Sequence, residues 1–337
     1  MVVDEIKKVL LFQPGSLGDS FFTSALADVI KREKNDIQVF FYTTKVSKEM
    51  VKDNPNIDNF IIHTGNLVKD IKNLRKLEFD LIIDTWAIGD AYYRIIFSKS
   101  KRKVAIRKKK SEKYLVPFVY TDQIEFKRHG YVFWDRIELL NFLNIDTNKY
   151  IKKELPVYHI SEEIIRKIEK YLKTKEITKG DFYIIAPKGL WKTKDIPTNL
   201  AAKITDILMF DLGKPVVLAS HPADRWYLDK IISLTKSKPR IFASNSVREF
   251  GALIKLSKHL ISVESLPYHL AVGLRKPATV ILGGYPIWKP ENYNLLNFVN
   301  IDVECKFCCS SDCKLGDYRC LTQIEPENVI KKVLEIK

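Results

Sequence analysis

Four short segments carry the residue types from which a reactive or binding site can be built. Gln13-Pro14-Gly15-Ser16-Leu17-Gly18-Asp19 follows an aliphatic run. Gly15 and Gly18 allow a tight turn and a close ligand approach to the start of the next helix, where free backbone amides favour anions. Asp19 stands at that helix start, where a carboxylate can serve as a base; the plainer reading is a helix N-cap. Residues 186–197 gather Lys188, Lys192 and Lys194 around Pro187 and Gly189, a set suited to gripping a diphosphate. Ser220-His221-Pro222-Ala223-Asp224 ends in a carboxylate able to receive ribose hydroxyls. Residues 263–271 bring Glu264, Ser265, Leu266 and His269 across a helix start, where Ser265 and its neighbouring amides form an anion site with His269 one turn on. Taken singly, each is more often a cap or a turn. There is no Walker loop and no Gly-x-Gly-x-x-Gly fingerprint.

All five cysteines fall within residues 305–320. Cys305, Cys308, Cys313 and Cys320 are separated by two, four and six residues, with Cys309 extra. Four thiolates so close suit a structural tetrahedral zinc or iron ion, with disulfides as the rival. No histidine lies near enough in sequence to suggest a catalytic thiol.

The elements that must position these segments alternate. Short aliphatic strands are expected at residues 8–12, 38–42, 60–63 and 81–84, with helices at 20–31 and 68–77. After a charged helix at 162–173, a second set places strands at 182–186, 215–219, 240–243, 259–263 and 278–282. Helices at 199–209, 224–234, 247–256 and 268–274 lie between them, and a helix at 326–336 closes the chain. Such alternation indicates two consecutive α/β domains, each a doubly wound parallel sheet, at 1–160 and 161–337, facing across a cleft. Ligands of such sheets lie beyond the carboxyl ends of the strands, which is where the four segments fall.

The chain has 337 residues, 46% hydrophobic and 29% charged, an ordinary globular composition that excludes disordered and collagen-like chains. No apolar run reaches the roughly 20 residues of a membrane span, and the acidic start of the chain does not fit a signal peptide, so a cytoplasmic protein is expected. The formal net charge is +15, and nine cations lie within residues 99–113 against one acid, Glu112. This block suits an anionic partner such as an acidic membrane face or a phosphorylated substrate; the plainer reading is a solvated lysine-rich surface. No nucleic-acid-binding signature accompanies it, so nucleic acid is not expected.

Together these segments resemble the ADP-heptose:lipopolysaccharide heptosyltransferase family, glycosyltransferase family 9, of the GT-B fold. Residues 9–19 resemble its opening strand and Gly-Asp loop, and residues 128–135, Arg128-His129-Gly130-Tyr131-Val132-Phe133-Trp134-Asp135, resemble the helix closing its first domain. Residues 187–197 are similar to its Pro-Gly…Lys-Arg-Trp-Pro segment, with Lys194 at the lysine, and residues 264–271 to its Asp-Ser-Gly-x-x-His-x-Ala motif. The cysteine segment with Ile324-Glu325-Pro326 resembles the end of many members.

The resemblance implies that the second domain binds ADP-heptose through Pro187, Gly189, Lys194, Asp224, Glu264, Ser265, Leu266 and His269. The first would bind the lipopolysaccharide core through Gly15, Ser16, Gly18 and Arg128. It implies an inverting transfer with Asp19 as base and no catalytic cofactor, at the inner face of the inner membrane with peripheral contact to anionic lipid. Glu264 stands where the family has Asp, Leu266 where it has Gly, and Asp195-Ile196 where it has Arg-Trp. Two alternatives therefore stay open: a heptosyltransferase that modifies proteins, and a nucleotide-binding relative without catalysis. An NAD-dependent oxidoreductase shares the layered fold but would need the missing dinucleotide fingerprint.

Overall fold

Lys8–Phe12 (β1) ends in four consecutive buried apolar residues, which is what a strand covered on both faces requires. In the computed structural model, which describes residues 6–89, 91–107 and 116–336, this strand lies inside a six-stranded parallel sheet. Its other members are Gln38–Thr43 (β2), Asn59–Ile62 (β3), Phe79–Asp84 (β4), Ser100–Arg107 (β5) and Asp122–Glu125 (β6), in the order β3-β2-β1-β4-β5-β6. Register is fixed by matching apolar rows, with Val9 beside Val39 on one side and Leu81 on the other. The helix Leu17–Glu33 covers this sheet and is buried from Ser20 to Ile30 without a break. It starts earlier than the apolar pattern suggests because Ser16 is its N-cap, the hydroxyl accepting from the Asp19 amide at 3.3 Å.

A second parallel sheet is built from Tyr183–Ala186 (β7), Val216–Ser220 (β8), Arg240–Ala243 (β9), His259–Val263 (β10), Ala278–Ile281 (β11) and Leu296–Val299 (β12). Its order, β12-β11-β10-β7-β8-β9, is that of the first sheet read from the other edge. Its core packs Ile185, Ile261 and Ile281 against Leu200, Ile204 and Val329 of the flanking helices. In both sheets the order reverses beside the first strand of the set, between β1 and β4 and between β7 and β10, the place where such sheets hold ligands.

Three strands escaped the sequence pattern, β5, β6 and β12. β5 and the residue before it carry the first part of the basic run, and Lys99, Lys101 and Arg102 are each paired with an acid. Lys99 pairs with Glu78 at 3.2 Å, Lys101 with Asp80 at 3.2 Å, and Arg102 with Asp122 at 2.7 Å. This part of the run is therefore strand, with exposed lysines in surface ion pairs; residues 108–113 lie outside the described residues. The chain divides into two compact units, Met1–His159 with Pro290–Asn292, and Ile160–Lys289 with Tyr293–Lys337. The short return to the first unit is held by Asn292, whose side-chain amide donates to the Lys153 carbonyl at 2.8 Å. No helix among the described residues is long and apolar enough to cross a membrane.

Candidate functional site

In the first unit the loop after β1 is held by a buried polar ladder. The Gln13 side-chain Nε2 donates to Thr85 Oγ1 at 3.0 Å, Thr85 meets Thr23 at 2.9 Å, and the Gln13 side-chain Oε1 receives the Gly15 amide at 2.8 Å. A Cβ on Gly15 would fall 2.3 Å from the Trp86 ring, so only glycine fits there. Gly18 differs: nothing lies within 4 Å of where its Cβ would be, so the turn does not need glycine at that position. The Trp86 loop is fixed in turn by buried Asp84, which receives the Trp86 and Ala87 amides and the Tyr120 hydroxyl.

Asp19 projects from the first turn of the helix with its side chain 31% exposed. One carboxylate oxygen accepts from the Ser16 hydroxyl at 2.6 Å, and the other pairs with buried Arg136. Arg136 also donates to the Asp19 carbonyl at 2.5 Å and to Thr23 Oγ1 at 3.1 Å, tying the helix start to the helix Val132–Ile137. Sequence reasoning missed Arg136, although it directly follows the 128–135 segment singled out above. Arg128 is exposed, with its guanidinium 5.9 Å from the centre of the Phe126 ring. A cavity of about 960 Å³ in this unit is lined by Lys8, Gln38 and Phe79 at the amino ends of β1, β2 and β4, the opposite end of the sheet from Asp19.

In the second unit the loop after β7 closes on itself, the Ile196 amide donating to the Pro187 carbonyl at 2.9 Å. Gly189 is packed so closely that a Cβ would come 2.7 Å from Lys194 Cβ. Each of the three lysines is paired. Lys188 bonds Asp195 at 2.6 Å, Lys192 meets Asp312 at 3.2 Å, and Lys194 pairs with Glu264 at the end of β10. Lys194 is further enclosed by the Tyr285 ring, whose centre lies 4.3 Å from the ammonium. Burial pushes the Glu264 carboxyl above the usual carboxylate range, and the Lys194 ammonium pulls it partly back.

Ser265 occupies the N-cap of the helix Leu266–Gly273 but makes no capping bond with its side chain. Leu266 opens that helix, half-buried, and Pro267 removes one of its first amides. His269 is buried with its ring 3.8 Å from that of Tyr268. Asp224 caps the helix Arg225–Leu234, and its carboxylate has no side-chain partner among the described residues, leaving it open to a hydroxyl ligand. A cavity of about 400 Å³ lined by Lys188, Asp195, Trp226, Tyr227 and Tyr318 adjoins this loop, an aromatic wall that the motifs did not disclose.

The cysteines are all free thiols. Among the described residues no three or more His, Cys, Asp or Glu side chains stand ready as a metal-binding group. The segment is nonetheless built into the lysine loop. The Thr193 hydroxyl donates to the Ser310 carbonyl at 2.5 Å, Gly284 N–H to the Thr193 carbonyl at 2.9 Å, and Cys309 N–H to the Gly284 carbonyl at 2.7 Å. The Tyr285 hydroxyl donates to the Cys309 carbonyl at 3.1 Å. The residues around Lys194 therefore rest on residues 308–310.

No protein-family model matches the chain. Lipopolysaccharide heptosyltransferase 1 of Campylobacter coli is 20% identical over 98% of both chains, and lipopolysaccharide heptosyltransferase 3 of Escherichia coli K12 is 24% identical over 83% of this chain and 84% of the relative. Among solved structures, the glycosyl transferase family 9 protein of Veillonella parvula superposes with a TM-score of 0.83 at 18% identity, covering 98% of this chain and 97% of that one. Escherichia coli heptosyltransferase WaaC with ADP gives a TM-score of 0.74 at 13% identity, over 98% and 100% of the two chains. The two like-ordered sheets and these superpositions define a GT-B glycosyltransferase fold. Over nearly its whole length the chain is thus similar to proteins named as lipopolysaccharide heptosyltransferases and to a structure named as glycosyl transferase family 9.

Proposed function

We propose that the protein transfers a heptose, or a closely related sugar, from an ADP-sugar to the phosphorylated inner core of a lipopolysaccharide. The observation that carries this reading is the placement of Asp19 and of the Lys194–Glu264 pair at equivalent switch points of two like-ordered sheets, in a chain whose relatives are named lipopolysaccharide heptosyltransferases. Asp19 is the base that removes the acceptor hydroxyl proton, and that oxygen then displaces the ADP at the anomeric carbon with inversion. Ser16 and Arg136 aim the carboxylate, one on each oxygen. Lys194, the amides beside Ser265 and His269 offset the charge that gathers on the departing diphosphate, and Asp224 receives the ribose hydroxyls. Gly15, Gly18 and Arg128 belong to the acceptor side. The transfer takes place at an anionic membrane face, inside the cell, with no cofactor in the chemical step.

The Lys194–Glu264 pair has a consequence for donor binding: a diphosphate competes with a carboxylate already in place. The test is a calorimetric titration with ADP, UDP, GDP and ADP-heptose, wild type beside Lys194→Ala. Binding confined to the adenine ligands and weakened at least tenfold in the variant is the expected result. A preference for UDP or GDP would replace the donor, and no binding by any of them would remove the reading. Labelling of a lipid-free polypeptide by wild type would redirect the acceptor to protein.

A further inference from the structure

The aromatic-walled cavity of the second unit, about 400 Å³, has no part in the proposed chemistry, since neither Lys194, Asp224, Glu264 nor His269 lines it. Its size is that of a small-molecule site. Trp226 forms one wall and stays 59% exposed, so a flat apolar ring faces open space. Tyr227 stands edge-on to it, with ring centres 5.4 Å apart at 85°, and is pinned by its hydroxyl donating to the Ile196 carbonyl at 2.7 Å. The Lys188 ammonium lies 5.1 Å from the centre of the Tyr227 ring and 5.9 Å from that of Trp226. It is bonded to buried Asp195, which also accepts the Gly189 amide at 2.8 Å. This side of the cavity is therefore rigid, and its charges are satisfied.

Two further lysines line the same space and are available to an anion. Lys230 follows Trp226 by one turn of the helix Arg225–Leu234, on the same face, and no acid among the described residues pairs with it. Lys192 is exposed, and its contact with Asp312 at 3.2 Å is a surface pair of little worth. Asp312 keeps the Tyr318 hydroxyl and the Cys313 amide when that lysine leaves, so the exchange strands no charge. Thr198 and Asn199 add a polar edge. The Asn199 Oδ1 accepts the Leu200 amide at 2.9 Å, which leaves its Nδ2 for a ligand hydroxyl.

We propose that this cavity is a second ligand site of the second unit, taking a phosphorylated sugar whose ring lies on Trp226 and whose phosphate is held by Lys192 and Lys230. A sugar fits better than a nucleobase on two counts. The groups that could read the edge of a base are spent, Tyr227 on the Ile196 carbonyl and Asp195 on Lys188 and Gly189. The groups left over, Thr198 and the Asn199 amide nitrogen, suit hydroxyls, and the C–H face of a pyranose suits an exposed indole. Two ammonium groups on flexible stems close on a phosphate as point charges. The site does not depend on the proposed donor site, from which it differs in every group that binds.

The test is a calorimetric titration of the full chain with glucose 6-phosphate and mannose 6-phosphate, beside inorganic phosphate, methyl glucoside and AMP. At least one sugar phosphate should bind with a stoichiometry of one, and inorganic phosphate and the neutral glycoside should each bind at least tenfold more weakly. Trp226→Ala and Lys230→Glu should each weaken the sugar phosphate at least tenfold. Trp226→Phe, which keeps a flat ring, should stay within a few-fold of wild type, and Lys194→Ala should match it. Both mutated side chains are exposed, and circular dichroism of the variants checks that they fold. The bound sugar phosphate should persist under saturating ADP; its displacement by ADP would overturn the proposal. Absence of binding by both sugar phosphates at millimolar concentration would overturn it, as would binding untouched by Trp226→Ala and Lys230→Glu. AMP binding more tightly than either sugar phosphate, and lost in Trp226→Ala, would make this a nucleotide site and overturn the assignment to a sugar.

Discussion

At the scale of single residues, the principal candidate charges within each unit, Asp19 and Lys194, are already paired. Asp19 is aimed by Ser16 and Arg136, and Lys194 is occupied by Glu264. If Asp19 is the base, Asp19→Asn should lower kcat by roughly 10²–10⁴-fold with nucleotide affinity unchanged. Arg136→Lys should lower kcat by less and leave the KM for the nucleotide sugar near wild type, because a lysine cannot reproduce the guanidinium's contacts to carboxylate, carbonyl and Thr23 together. Steady-state kinetics with both substrates varied reads this split. The Glu264 carboxyl gives a second prediction with a definite sign. Its pKa is raised by burial, so lowering the pH from neutral protonates it early and frees Lys194. ADP affinity should therefore rise toward mildly acidic pH. Glu264→Gln should bind ADP more tightly at pH 7, by roughly tenfold or about 1.4 kcal/mol, with a flatter pH profile than wild type. Equal profiles would mean that Glu264 does not compete with the diphosphate. These charged residues were legible because each falls within a few positions of a turn signal. Their partners were not: Arg136 meets Asp19 across 117 residues, and no local pattern announces such a contact.

At the scale of elements, glycines mark which turns are built for packing and which for access. Gly15 sits against Trp86 and Gly18 against nothing. Gly15→Ala should cost about 1–3 kcal/mol, the usual penalty for forcing atoms into a filled site. Gly18→Ala adds a helix-favouring residue within the first turn and should be neutral or slightly stabilising, by up to about 1 kcal/mol. If a ligand approaches the backbone there, the same change should still depress transfer. Urea unfolding alongside activity separates the two effects, and Gly18→Ala with full activity would remove Gly18 from the acceptor side. The strands that escaped prediction show where pattern reading fails. β5 begins Ser100-Lys101-Arg102-Lys103, a sequence that reads as solvated until Asp80 and Asp122 from neighbouring strands take its charges. β12 is a four-residue edge strand containing Asn297, whose side chain is spent on the Lys332 carbonyl. In both cases tertiary partners supply what the local sequence lacks.

At the scale of the whole molecule, two sheets of the same strand order carry their candidate groups after corresponding strands, β1 with β4 and β7 with β10. Alternation of strands and helices made that doubling legible; the return of residues 290–292 to the first unit was not, since nothing in the local sequence Pro290-Glu291-Asn292 signals it. The second sheet also holds a group that ties its stability to pH. His259, in β10, is 3% exposed, and its Nε2 lies 2.9 Å from Thr279 Oγ1 on β11. Burial, with Lys258 and Lys276 nearby, lowers its pKa from 6.5 to about 3. In the unfolded chain the imidazole takes up a proton near its ordinary pKa; in the folded chain it refuses one until far lower pH. The unfolded state thus binds more protons between these values, and stability rises with pH across that window. It is whole above about pH 6.5 and drains as the pH falls toward 3, with a slope of up to about 1.4 kcal/mol per pH unit from this group. Urea unfolding of the second unit, followed at pH 7, 5.5 and 4.5, should show the loss, and His259→Gln should flatten that part of it even if the variant is less stable at pH 7. Parallel pH slopes in the two proteins would assign the acid sensitivity to carboxylate pairs elsewhere, and would free β10 of any part in it.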